Sequence, residues 1–109
     1  MSETVLGKIA KVHFGIHESM FGLRIEFSMG SSGVMTSYTV WDPTTTPPSE
    51  FSKWNLEDQD KEIVLIARRL SKILNDAKVD DVYALQGKPV EVTLERNTLK
   101  DWRILTEVL

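Results

Sequence analysis

The chain has 109 residues, 41% of them hydrophobic and 27% charged, which predicts one domain with a real core and excludes wholesale disorder. It has no cysteine and a formal net charge of −3, which exclude disulfides, thiolate metal sites and thiol nucleophiles and argue against coating duplex nucleic acid through a bulk positive field. No apolar stretch is long enough to span a bilayer, and Met-Ser-Glu-Thr-Val-Leu-Gly-Lys lacks the pattern of a signal peptide; the expectation is a cytoplasmic protein with no membrane partner.

In chain order, a first strand is expected over 6–14, with Ala10, Val12 and Phe14 on one face and Ile9, Lys11 and His13 on the other. Residues 15–22, with glycines at both ends and the polar pair Glu18-Ser19, read as a turn. The second strand, 23–29, alternates most cleanly: Leu23, Ile25, Phe27 and Met29 against Arg24, Glu26 and Ser28, the period of a half-buried strand. Gly30-Ser31-Ser32-Gly33 supplies a hairpin connection. A third strand follows over 34–41, rich in β-branched and aromatic residues.

Asp42-Pro43-Thr44-Thr45-Thr46-Pro47-Pro48-Ser49 interrupts the pattern. Its prolines remove backbone donors and favour extended conformation, so it reads as a long surface loop that Phe51 and Trp54 anchor. The one convincing helix begins after Asn55, an N-cap residue, with Glu57, Asp58 and Asp60 complementing the helix dipole. Ile63, Ile66, Ala67, Leu70, Ile73, Leu74 and Ala77 recur at helical spacing, and Val64 and Leu65 widen the stripe enough for cover on more than one side. Asp80 is placed to cap a short turn over 81–85. A fourth strand over 89–95, a polar connection over 96–101 and a final strand over 102–109 complete the chain. The last carries Trp102, Ile104 and Val108 on one face and Leu105 and Leu109 on the other.

The order strand-strand-strand-helix-strand-strand predicts an α+β domain with one main helix. Two architectures have this order: a five-stranded antiparallel sheet with the helix across one face, and an OB-like partly open barrel.

Few residues carry chemistry. His13 and His17 have the spacing of a metal pair only on a helix, and Gly15 stands between them in a strand pattern. The acidic run Glu57, Asp58, Asp60, Glu62 is explained by the helix start, and Gly30–Gly33 lacks the lysine and the strand-to-helix context of a phosphate loop. No nucleophile has a positioned base. The expectation is a non-catalytic protein without metal or cofactor.

Two binding surfaces are expected instead. The loop residues Trp41, Pro47, Pro48, Phe51 and Trp54 form a constrained segment flanked by aromatics, suited to a protein partner. Lys11, His13 and Arg24, with Tyr38 nearby, make a basic sheet face of the kind on which OB-type domains hold single-stranded nucleic acid, although Glu26 shares that face. A homodimer through an open sheet edge is a further expectation.

The segments Gly7-Lys8-Ile9-Ala10-Lys11-Val12-His13-Phe14-Gly15, Phe21-Gly22-Leu23 through Phe27-Ser28, Lys53-Trp54 to Glu57-Asp58, Ala77-Lys78-Val79, Leu85-Gln86-Gly87-Lys88-Pro89-Val90-Glu91-Val92 and Lys100-Asp101-Trp102-Arg103-Ile104-Leu105-Thr106-Glu107-Val108-Leu109 resemble a group of small phage and prophage proteins of uncharacterised function. The resemblance covers most of the chain and is weakest in the Thr/Pro loop. It implies an accessory protein made in the cytoplasm of a bacterial host, and it carries over no catalytic residue. The leading expectation is a protein that binds a host or phage protein, inhibition of a host defence system being one such role. The alternative is an OB-like factor that binds single-stranded nucleic acid in phage replication or recombination.

Overall fold

The computed structural model describes residues 2–45 and 54–109. Its longest strand, β1 (Ser2–His17), serves both halves of the sheet. The first part of β1, Ser2 to Lys8, pairs with β4 (Pro89–Glu95), and the second part, Lys8 to His17, pairs with β2 (Met20–Met29). With β3 (Ser32–Trp41) against β2 and β5 (Thr98–Ile104) against β4, the order is β3-β2-β1-β4-β5, antiparallel throughout. The sheet curls towards closure between β3 and β5, but among the described residues no ladder joins those two strands. The architecture is therefore OB-like and partly open. Helix α1 (Leu56–Ala77) lies between β3 and β4 in the chain, as the pattern predicted.

Two bulges decide which side chains reach the core. Between Ile9 and Lys11 the pairing of β1 with β2 slips, leaving Ala10 as the extra residue. Ile9 and Val12, three apart, are consequently both buried, whereas strict alternation had put them on opposite faces. A second slip against Thr93 and Leu94 makes Lys100 the extra residue of β5, so Leu99, Trp102 and Ile104 all turn inward. A bulge adds one residue to one strand only, which reverses the alternation beyond it.

The core gathers Ile9, Val12, Leu23, Ile25, Phe27, Val90, Val92 and Ile104 from the sheet, Ile73 and Ala77 from α1, and Leu85 from a 3₁₀ turn, Val82–Leu85. Burying each such Leu, Ile, Val or Phe contributes about 1.5–3 kcal/mol relative to exposure. Phe27 packs on Trp102 with ring centroids 4.9 Å apart. Gly7 leaves β1 room beside the end of β2: an added Cβ would lie 2.5 Å from the Ser28 carbonyl oxygen, so no larger residue fits without parting the strands.

The helix ends are built by local chemistry. The Asn55 side chain accepts from the Asp58 N–H at 2.9 Å, and the Asp58 carboxylate accepts from the Asn55 N–H at 3.0 Å. This reciprocal capping box satisfies donors that would otherwise be orphaned, and an N-cap of this kind is worth about 1 kcal/mol. At the other end Lys78 takes the left-handed conformation, with its N–H on the Asn75 carbonyl and the Val79 N–H on the Leu74 carbonyl. That is the Schellman arrangement with lysine where glycine is usual. Asp81, rather than Asp80, caps the 3₁₀ turn by accepting from the Tyr83 N–H at 2.8 Å.

Several predicted boundaries move. The β1–β2 turn is only Glu18-Ser19, both at positive φ, and the β4–β5 turn is only Arg96-Asn97, also both at positive φ. Such two-residue turns match the twist of flanking strands, so β2 starts at Met20 and β5 at Thr98. The expected final strand over 102–109 is corrected: β5 ends at Ile104, and a 3₁₀ turn, Thr106–Val108, follows it. Val108 is 64% exposed, not part of a two-sided strand. In this segment Glu107 pairs with Arg103 at 2.9 Å, and that guanidinium holds its carboxyl down at about 2.

Candidate functional site

The pairing registers place four rows across the outer surface of β1, β2 and β3. They read Lys11–Glu26–Met35, His13–Arg24–Ser37, Gly15–Gly22–Thr39 and His17–Met20–Trp41. Lys8, opposite Ser28, extends the same face on the far side of the bulge. At the strand rise of about 3.3 Å per residue, the strip from Lys11 to Trp41 runs roughly 20 Å. Lys11, His13 and Arg24, expected to share a face, do so.

They also form a shallow depression of about 230 Å³, lined with them by Val12, Glu26, Met35 and Gln86. The Arg24 guanidinium rests on the Met35 sulfur at 3.5 Å. Among the described residues no carboxylate lies within 4 Å of the Lys8, Lys11 or Arg24 nitrogens, although Glu26 is the direct cross-strand neighbour of Lys11. These cations are therefore solvated and available. The protein's carboxylates concentrate elsewhere: Glu57, Asp58, Asp60, Glu62 and Asp76 on α1, and Glu91, Glu95 and Asp101 on β4 and β5. An acidic chain thus carries a face where Lys8, Lys11 and Arg24 outnumber Glu26.

Tyr38 does not belong to this face. It pairs with Leu23 on the inward side, where its hydroxyl accepts from the Trp102 indole N–H at 2.7 Å and Arg69 stacks over its ring at 4.2 Å. The β2–β3 register leaves no other option, because Tyr38 is an even number of residues from inward Val34 and Val40. The aromatic that does share the outer face is Trp41, 48% exposed and opposite Met20.

Trp41 is held by its backbone. Its carbonyl accepts from the buried Gln59 side chain at 3.3 Å, which ties the end of β3 to the first turns of α1. The next residue, Asp42, is buried; its N–H donates to the Ser19 carbonyl at 2.8 Å. Its carboxylate accepts from the Thr45 hydroxyl at 2.6 Å and the Thr44 N–H at 3.2 Å. Those bonds, the Thr45 hydroxyl first, lower its pKa below the ordinary carboxylate value. No local pattern announces this clamp, because Asp42 reads as one more residue of a polar loop.

Gly22 explains how closely β2 and β3 approach between the basic rows and Trp41. Its φ is +150°, and an added Cβ would lie 2.2 Å from the Tyr38 carbonyl oxygen. With Gly15 opposite it, the strip is bare of side chains at two adjacent positions.

Of the loop residues expected to meet a protein partner, Trp41 is exposed and Trp54 half-buried beside the N-cap Asn55. Pro47, Pro48 and Phe51 lie outside the described residues. At the far end of the β1–β2 hairpin, Phe14 and Phe21 pack edge to face at 5.4 Å, and Phe14 and Ile16 remain exposed. Among the described residues no group of three or more His, Asp or Glu side chains is placed to hold a metal ion, and no helix is long and apolar enough to cross a membrane.

Comparisons of the chain with protein-family models, with curated protein sequences and with solved structures find no match.

Proposed function

We propose that this protein is a non-catalytic binding module whose outer β1–β2–β3 face holds single-stranded nucleic acid. The observation that carries the reading is the contiguous set Lys11, His13 and Arg24, which among the described residues enters no ion pair and shares its surface with half-exposed Trp41. Cations along a curled sheet track phosphates, while an exposed indole offers a stacking surface to any base. A shallow, open face that offers cations and an exposed indole suits a ligand read by charge and stacking. In the setting that the phage resemblance implies, such a module is an accessory factor of replication or recombination.

The test is binding of a labelled single-stranded oligonucleotide over a salt series. With Lys8, Lys11 and Arg24 engaged, the logarithm of the association constant falls against the logarithm of salt concentration with a slope of about −2, from roughly −0.7 per neutralised phosphate on a single strand. No binding at low salt overturns the proposal, since electrostatic contacts are strongest there.

A second reading, recognition of a host or phage protein, rests on a different observation. Phe14 and Ile16 are exposed apolar side chains beside Phe21 at the distal end of the β1–β2 hairpin, on the face opposite Trp41, and neighbouring exposed apolar side chains mark protein-binding surfaces. On that reading Ile16→Glu abolishes capture of the partner and leaves oligonucleotide binding unchanged.

A further inference from the structure

Helix α1 turns Ile66, Ile73 and Ala77 into the core, yet Val64 and Leu65 lie outside that buried stripe. Val64 is 48% and Leu65 55% exposed. Together with Glu57, Asp60, Lys61 and Arg68 they line an open, mainly apolar depression of about 590 Å³. Nothing on the described part of the chain covers it. Val64 and Leu65 give this otherwise charged side of the helix an exposed apolar centre, the kind of surface that marks an interface when a charged rim surrounds it.

Its charges say what covers it. Asp60 and Arg68 stand four residues to either side of Val64, about 6 Å along the helix in each direction. Among the described residues neither takes part in an ion pair within 4 Å, whereas Lys61 is occupied by Glu57 at 3.7 Å. A two-fold interface needs a patch that is its own complement, and this one is. We propose that a second copy of this chain covers the face, with the two α1 helices antiparallel and crossing at Val64.

In that arrangement Val64 and Leu65 of both copies exclude water from the centre, and Asp60 of each copy meets Arg68 of its partner, twice by symmetry. A parallel arrangement would set Asp60 against Asp60 and Arg68 against Arg68, so charge selects the antiparallel one. The dimer leaves the outer β1–β2–β3 face free on both copies, and the inference does not depend on what that face binds.

The experiment is sedimentation equilibrium of the full chain, from about 1 to 300 μM to cover micromolar dissociation constants. Wild type reaches the mass of two chains. Val64→Glu stays at one chain, and at a dilution where wild type is also a single chain the two melt alike, because the side chain it replaces is half in water. Asp60→Arg and Arg68→Asp each weaken association roughly tenfold or more, since two attractive pairs become two repulsive ones. An equimolar mixture of these two variants associates again, because each arginine then meets an aspartate of the other chain. A one-chain mass for wild type across the range overturns the proposal, as does a Val64→Glu dimer or a mixture that does not re-associate.

Discussion

The indole N–H of Trp102 donates to the phenolic oxygen of Tyr38 at 2.7 Å, joining β5 to β3 across a gap that no backbone ladder closes among the described residues. Residues 64 positions apart in the chain thus complete the curl with a side-chain bond. The same tyrosine ring supports Arg69 of α1, so sheet closure and helix placement share one residue.

Tyr38→Phe removes the acceptor and leaves the Trp102 N–H half-buried without a partner. The expected loss is about 1–2 kcal/mol, or a melting point lower by roughly 4–16 °C at about 4–8 °C per kcal/mol for a domain of this size. Thermal and urea denaturation measure it. A variant as stable as wild type would show that the bond is formed at no net gain over water.

Gly22→Ala places a methyl group against the Tyr38 carbonyl at a φ that L-residues rarely adopt. Overpacking plus backbone strain costs about 2–4 kcal/mol. Gly30→Ala is the comparison, since its φ is also positive but nothing lies within 4 Å of the new Cβ. If the two variants lose equal stability, φ strain rather than strand contact is the cause.

On the outer face, Lys11→Glu or Arg24→Glu weakens oligonucleotide binding about tenfold at low salt and flattens the salt slope by about 0.7 for each phosphate no longer neutralised. Trp41→Ala weakens binding by about 1–3 kcal/mol, the worth of one stacked base, with the slope unchanged. Tyr38→Phe leaves binding where it was. Titration by fluorescence anisotropy separates these outcomes. Equal slopes for wild type and Lys11→Glu would remove Lys11 from the phosphate-binding set.

The corrected C-terminus gives a pair of truncations. A chain ending at Leu105 keeps Trp102 and Ile104 in the core and the bond from the Leu105 N–H to the Pro89 carbonyl, so it melts cooperatively. A chain ending at Asp101 loses both core residues and does not fold, because removing two large buried side chains costs about 5 kcal/mol or more, most of a domain's stability. Ending the chain at Leu105 also frees Arg103 of Glu107. That carboxyl is held down at about 2, so the pair contributes above the ordinary glutamate pKa near 4.5 and its contribution fades only as the pH falls towards 2. Wild type and the truncation ending at Leu105 therefore differ least in strong acid, which acid-titrated melts check.

Much of this was legible along the chain. The alternation of Leu23, Ile25 and Phe27 and the spacing of Ile66, Ile73 and Ala77 marked both periods, while Asn55 with Asp58 announced the helix start. The basic set Lys11, His13 and Arg24 could be placed on one face because their spacings survive the β1–β2 register. Turn positions were harder. Glu18-Ser19 and Arg96-Asn97 adopt positive φ without glycine, so reading the first turn from its flanking glycines and the second from its polar run set the boundaries several residues wide.

What the sequence by itself determined is the kind and order of the elements, since periodicity and capping are local properties that each segment carries within a few residues. What only the tertiary structure decided is which side chains meet. The bulges at Ala10 and Lys100 reverse alternation partway along a strand. They put Ile9 with Val12 and Leu99 with Trp102, and whether a strand bulges depends on the partner it pairs with. The curl of the sheet then brought Trp102 to Tyr38, turning an expected surface aromatic into the side-chain link between β3 and β5, and left Trp41 on the face with Lys11 and Arg24.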